Sequence, residues 1–133
     1  MVRHENNGRC PKCAELLKLA HPKLRAFAEK RQSENAEVHV SCTFRDKADQ
    51  DRAFAIHASD KKWPMSKHNR TPSYAVDFFQ IDRHGNPQWN KDWFLLEIGV
   101  PAERAGFRWG GDWDRDGVPH ERGEGDNPHV EIP

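Results

Sequence analysis

Three short segments of this 133-residue chain alternate in side-chain character: Glu37–Phe44, Ser73–Phe79 and His129–Ile132. A period of two gives each segment one apolar face, so each reads as a strand that must lay that face against another layer. Helices supply the layer. Between Cys13 and Arg31, Leu16, Leu17, Leu19, Ala20, Leu24, Phe27 and Ala28 recur at spacings of three and four, with a break expected at His21-Pro22, where proline removes a backbone donor. Asp46–Ala58, with Phe54 and Ile56, and Trp93–Ala105, interrupted at Pro101, read as further helices. Lys61–Ser73 reads as loop and Asp82–Pro87 as a turn. This order predicts one α+β domain over residues 1–133, with helices packed on a short antiparallel sheet and residues 1–9 forming a loose arm.

The core of such a domain must be thin. Leu, Ile, Val and Phe make up 24 of 133 residues, about 18%, which is near the level where disorder competes with folding. Two features favour folding: 21 basic side chains cancel 21 acidic ones, and five Trp lie between Trp63 and Trp113. The charge balance also argues against a general nucleic-acid binder. No apolar run is long enough to insert in a membrane, and residues 1–8 lack the apolar centre of a signal peptide. A monomer made in the cytoplasm is expected. Three Cys are too few for a disulfide-stapled domain. Cys10-Pro11-Lys12-Cys13 reads as two reduced cysteines at a helix start or, with His4 and His21, as a small metal knuckle. Cys42 reads as a small buried strand residue.

Among eight His, two stand apart by context: His68, nine residues before Asp77, and His129, three residues after Asp126. Two imidazoles and a carboxylate can hold zinc and leave a fourth position for water, although spacing alone does not select these residues. The surrounding motifs are more specific. Thr43-Phe44-Arg45 has Gln50 five residues on; Ser66-x-His68 precedes Ala75-Val76-Asp77; Trp109-Gly110-Gly111-Asp112-Trp113 follows; Asp126-x-x-His129-x-Glu131 closes the chain. In that order, over residues 40 to 133, the sequence resembles the zinc peptidases of the D-Ala-D-Ala carboxypeptidase and L-alanyl-D-glutamate endopeptidase family, which includes VanY-like carboxypeptidases and phage lysis peptidases.

The resemblance implies one catalytic zinc held by His68, Asp77 and His129, with Asp126 as the general base. It implies that Arg45 pairs with a substrate carboxylate or helps stabilise the oxyanion. Ser66, Gln50, Trp109 and Glu131 would bind substrate or support the ligands. Glu131 shares a strand face with His129 and either orients it or faces solvent; Trp109 and Trp113 either line a cleft or pack. Family members have about six residues between the first His and the Asp. Here there are eight, including Pro72, expected to loop outward and reshape one wall of the cleft.

The implied activity is hydrolysis of bacterial peptidoglycan stem peptides by a phage or prophage endolysin that reaches the cell wall after release. L-Alanyl-D-glutamate endopeptidase is favoured over D-alanyl-D-alanine carboxypeptidase. A zinc-binding phage structural component without catalysis is the competing reading, and Asp126 weighs against it. The chemistry agrees: zinc makes water acidic enough to ionise near neutral pH, a carboxylate can shuttle the proton, and Arg forks onto substrate carboxylates. Asp112, Asp114 and Asp116, followed by Gly117, also resemble the first half of a calcium loop. Position twelve is Gly123, with Glu121 and Glu124 nearby, so the segment reads as calcium-responsive or as a solvated acidic turn.

Overall fold

The computed structural model describes residues 11–120 and 125–133. The helical period at the start is broken where the proline requires it. Helix α1 spans Pro11–Leu17 and α2 spans Pro22–Glu34, with Pro22 in the first turn and His21 as N-cap, its Nδ1 accepting the Lys23 N–H. Proline fits there because a first-turn N–H has no helical partner to lose. Strand β1 (Val38–Cys42) follows, then α3 (Lys47–Ala55), capped by the Asp46 carboxylate. A single 3₁₀ turn (Lys67–Asn69) sits inside the segment expected to be loop. Strands β2 (Ala75–Ile81) and β3 (Pro87–Gln88) come next.

Residues 91–104 form one helical stretch rather than two pieces split at Pro101. It runs as α4 (Lys91–Phe94), a π turn (Leu95–Gly99) and α5 (Val100–Arg104). Val100 N–H bonds back to Leu95, so the helix widens by one residue before the proline instead of breaking. Strands β4 (Arg108–Trp109) and β5 (His129–Glu131) complete a five-stranded sheet. Its order is β1-β2-β5-β4, with β3 also on β2, and every pair is antiparallel. The α+β expectation holds. Among the described residues no helix is long and apolar enough to cross a membrane.

The pleat gives the sheet two different faces. Val76, Val130 and Trp109 stand in register across β2, β5 and β4, all fully buried, with Val40 and Phe78 beside them. The helices cover this face through Leu17, Leu24, Phe27 and Ile98, joined by Phe107 from the connection before β4; Phe27 meets Phe78 and Phe107 edge-on, at 6.0 and 5.3 Å between ring centroids. The other face carries Asp77, His129, Glu131 and Arg108. Thus a thin core suffices because it has only one side of a small sheet to cover.

Cys13 is buried on α1 and disulfide-bonded, which corrects the reduced-thiol reading and removes it as a thiolate ligand for a metal knuckle. Cys10 and His4 lie outside the described residues, as does the expected arm.

Trp109 ties the core to the far loop. It is completely buried, and its Nε1–H donates to the Asn127 carbonyl at 2.8 Å. A Cβ on Gly99 would stand 2.5 Å from the Trp109 ring. Gly99→Ala should therefore destabilise the protein by about 1–3 kcal/mol, the usual cost of overpacking. Urea unfolding would measure it; a midpoint equal to that of the parent would show that the ring moves without cost.

Candidate functional site

Strand pairing brings the site together. Asp77 on β2 lies opposite Cys42 of β1 on one side and His129 of β5 on the other. His68 arrives from the 3₁₀ turn. Ser66 caps that turn by accepting the His68 N–H at 3.1 Å, while Asn69 bonds back to the Ser66 N–H. The two imidazoles divide the carboxylate between them: His68 Nε2 is 3.2 Å from Asp77 Oδ2, and His129 Nδ1 is 3.1 Å from Oδ1.

Each ring is oriented through its other nitrogen. His68 Nδ1–H donates to the Thr43 carbonyl at 2.6 Å, which leaves Nε2 as the nitrogen that faces Asp77. That Nε2 is buried, and despite its closeness to Asp77 it lies outside hydrogen-bonding geometry. His129 Nε2–H donates to Glu131 Oε1 at 2.8 Å. Glu131 is 7% exposed and therefore no solvent-facing strand residue.

The protonation balance follows from burial and pairing. Burial alone would discharge both imidazoles, but Asp77 outweighs it at His68, pushing its pKa up to about 10. The hydrogen bonds to Asp77 and Glu131 do the same at His129, pushing its pKa up to about 9. For Asp77, burial favours the neutral acid, yet the two imidazoliums hold it far below the ordinary carboxylate range. Glu131 is also held low, burial being outweighed by His129, Lys67 and Arg108. Asp126 moves the other way. Burial raises its pKa, partly offset by His129, although half its side chain is open to the cleft and its Oδ2 stands 4.0 Å from His129 Nδ1.

Sequence reasoning missed Cys42. Strict alternation puts it on the core face with Val38 and Val40. The structure inserts a β-bulge between Val40 and Cys42, so two residues of β1 face one of β2. The bulge reverses the parity of the strand. Cys42 consequently sits beside the site, half-buried, with Sγ 3.7 Å from His68 Nδ1 and 3.8 Å from Arg45 Nη2. Cys42, His68 and Asp77 each place a donor atom within 4.8 Å of the others. A sulfur, an imidazole nitrogen and a carboxylate are donor types a zinc ion takes, and the buried Nε2 of His68, without a hydrogen-bond partner among the described residues, fits such an ion; His129 lies outside this three-residue group.

Arg45 and Gln50 meet as the spacing suggested. Arg45 Nη1 donates to Gln50 Oε1 at 2.9 Å, and Nη2 lies 3.8 Å from Asp77 Oδ2. Gln50 is wholly enclosed and does not line the cleft; it also accepts from Asn69 and donates to Ser59 and Lys61, so it holds Arg45 from behind. A cleft of about 820 Å³ opens over the site, lined among others by Arg45, Ser66, His68, Asp126 and His129. Trp113 lines it 5.3 Å from the His129 ring, whereas Trp109 belongs to the core. Residues 70–72 form the exposed outward loop expected from the longer spacing. They are not among the cleft-lining residues, which corrects the expectation that they reshape its wall.

The Trp-Gly-Gly motif holds the turn that carries Asp126. Gly110 N–H donates to the His129 carbonyl at 2.8 Å and its own carbonyl accepts the Asp126 N–H at 3.2 Å. A side chain at Gly110 would collide with the Asp126 backbone.

A second acidic group lies apart from the cleft. Asp112, Asp114 and Asp116 bring carboxylate oxygens within 4.8 Å of one another. Asp112 is buried; Oδ2 accepts the Gly117 N–H at 3.0 Å, and Oδ1 has no hydrogen-bond partner among the described residues. Glu103 on α5, which the sequence did not single out, joins it. Its Oε2 is likewise buried without a partner among the described residues, and burial together with Asp112 pushes its pKa up to about 7. Glu121, Gly123 and Glu124 lie outside the described residues.

No protein-family model and no curated protein sequence matches this chain. Among solved structures, the crystal structure of the L-Ala D-Glu endopeptidase ChiX of Serratia marcescens is similar, with a TM-score of 0.68 and 22% sequence identity over 92% of this chain and 87% of that one. The likeness establishes a shared fold.

Proposed function

We propose that the protein is a zinc-dependent peptidase that hydrolyses peptidoglycan stem peptides between L-alanine and D-glutamate, in the manner of a phage endolysin. The observation that carries this reading is the convergence of His68, Asp77 and His129, with Asp126 and Arg45, on the floor of one cleft. The activity of the structural neighbour supports the endopeptidase over a D-alanyl-D-alanine carboxypeptidase.

His68 through Nε2, Asp77 and His129 through Nδ1 would hold the zinc, which when bound supplies Lewis acidity toward water and the substrate carbonyl. Glu131 keeps the His129 ring turned by holding Nε2–H. Asp126 takes a proton from the attacking water and returns it to the leaving nitrogen; its raised pKa suits a group that must both accept and release a proton. Arg45, fixed by Gln50, points its guanidinium at the carbonyl oxygen that gains charge. A purely structural metal site would have no need of Asp126, half exposed beside the ligands.

Zinc must displace the protons that His68 and His129 carry, so its affinity should rise with pH, and titration calorimetry in buffers of different ionisation enthalpy should detect the released protons. One zinc per chain is expected, and His68→Ala should lose it. Full zinc occupancy in that variant would place the site elsewhere.

Asp126→Asn should retain zinc but lower turnover of purified peptidoglycan by roughly two to four powers of ten, the usual contribution of general acid–base catalysis. Mass spectrometry of the freed termini would identify the bond cut. Unchanged turnover in the zinc-loaded variant would remove Asp126 from the mechanism.

Calcium in the Asp112, Asp114 and Asp116 group forms part of the same proposal, supported by buried oxygens of Asp112 and Glu103 that have no hydrogen-bond partner among the described residues. Without a cation, Glu103 holds its proton to about pH 7 when folded but gives it up near 4.5 when unfolded. The unfolded state therefore binds fewer protons in between, and stability should fall as pH rises across that window. Millimolar or lower calcium should flatten this fall and raise activity, and Asp114→Asn should blunt both responses while leaving zinc in place. Thermal melts that show neither the slope nor a calcium response would leave the loop a solvated acidic turn.

A further inference from the structure

The cleft face of the sheet carries a second row of side chains, one two-residue repeat along the strands from Asp77 and His129. Ala75, Glu131 and Arg108 stand in register across β2, β5 and β4. Ala75 offers only a methyl group, so the row is a small residue, an acid and a cation. Lys67, from the 3₁₀ turn next to His68, also lines the cleft, as Arg108 and Glu131 do.

Glu131 does not use up these cations. Its carboxylate is bonded to His129 Nε2 at 2.8 Å, whereas Arg108 Nη1 is 3.8 Å from Oε2, a loose contact. The Arg108 side chain is 41% exposed, and its Nε–H has no acceptor among the described residues. Arg45 is the contrast. Its side chain is 16% exposed and held by Gln50, Cys42 and Asp77. Of the two described arginines that line the cleft, Arg108 is the more exposed and the less engaged by protein partners, which leaves it free for a ligand group other than the carbonyl oxygen assigned to Arg45. A guanidinium takes a carboxylate through parallel hydrogen bonds, and a neighbouring ammonium adds charge without demanding geometry.

We infer that Arg108 and Lys67 form a carboxylate-binding subsite that takes the free carboxylate of the residue on the amine side of the scissile bond. This rests on the peptidase reading above. A glutamyl residue joined to the rest of the peptide through one carboxyl keeps the other free, within a few bonds of the scissile nitrogen. The subsite lies one strand repeat, ~7 Å, along from the Asp77–His129 row, within reach of that carboxylate. The cleft would then distinguish a stem peptide with a free glutamate carboxyl from one in which it is amidated.

Two uncleavable ketomethylene analogues of an L-Ala-D-Glu peptide test this, alike except that one bears the free carboxylate and the other a carboxamide. Calorimetric titration of the full chain should show the acid binding roughly tenfold more tightly than the amide, the scale of one charge-assisted hydrogen bond. Arg108→Gln should bring the ratio close to one, and Lys67→Gln should reduce it part of the way. A merely structural role for Arg108 would weaken both analogues together and leave the ratio intact. Equal binding of acid and amide to the parent protein, an undiminished ratio in Arg108→Gln, or no binding of either analogue overturns the subsite. Hydrolysis of the cleavable parent peptide is scored separately: failure there with a preserved acid preference removes the peptidase reading and leaves the subsite standing.

Discussion

A single carboxylate organises the cleft. Asp77 sits in the middle of the sheet, paired on one side with β1 and on the other with β5, and its two oxygens receive two imidazoles from separate parts of the chain. Burying a carboxylate is costly unless it is matched, and here both oxygens are matched. The same match fixes the 3₁₀ turn that carries His68 and the terminal strand that carries His129. Removing Asp77 would leave His68 without its carboxylate and His129 with Glu131 alone, and nothing would then draw the two rings together, so the site depends on this residue before it depends on any ion.

The opposite face explains how so polar a chain keeps the arrangement rigid. Val76 and Val130 alternate directly with Asp77, His129 and Glu131 on the same two strands, so every core contact on one side positions a site residue on the other. Trp109 extends this coupling past the sheet edge by bonding Asn127, the residue next to Asp126. The glycines at 99, 110 and 111 follow from the same packing: a side chain at 99 or 111 would meet the Trp109 ring, and one at 110 would meet the Asp126 backbone. What reads in sequence as an aromatic-glycine motif is a joint between the core and the turn that carries Asp126.

Much of this was legible in the residues. The period-two segments became β1, β2 and β5; the proline at 22 separated two helices; and alternation put His129 and Glu131 on one face, where they bond. Three features were not legible, each for a local reason. Pro101 was accommodated by a π turn because widening a helix satisfies the backbone without breaking it. Cys42 was assigned to the core because a bulge leaves no mark in the hydrophobic pattern while reversing the face of the residues after it. Glu103 and Arg108 were passed over because only tertiary packing brings a helix carboxylate to Asp112, or an edge-strand cation to the cleft.

Under the proposed function, the state of the site without metal bears on the stability of the whole domain. His68, Asp77, His129 and Glu131 are enclosed on one sheet face, and in the absence of a cation their balance relies on protons held by the two imidazoles. Zinc takes the place of those protons and binds the folded chain far better than the unfolded one, because β1, the 3₁₀ turn, β2 and β5 must all be in place to assemble its ligands. A ligand present at a hundred times its dissociation constant adds about 2.7 kcal/mol to folding stability. That is a large share of the roughly 5–15 kcal/mol typical of a domain, and larger still for a core confined to one face of a small sheet. The polar face that weakens the apolar core is then also the face through which metal binding restores stability.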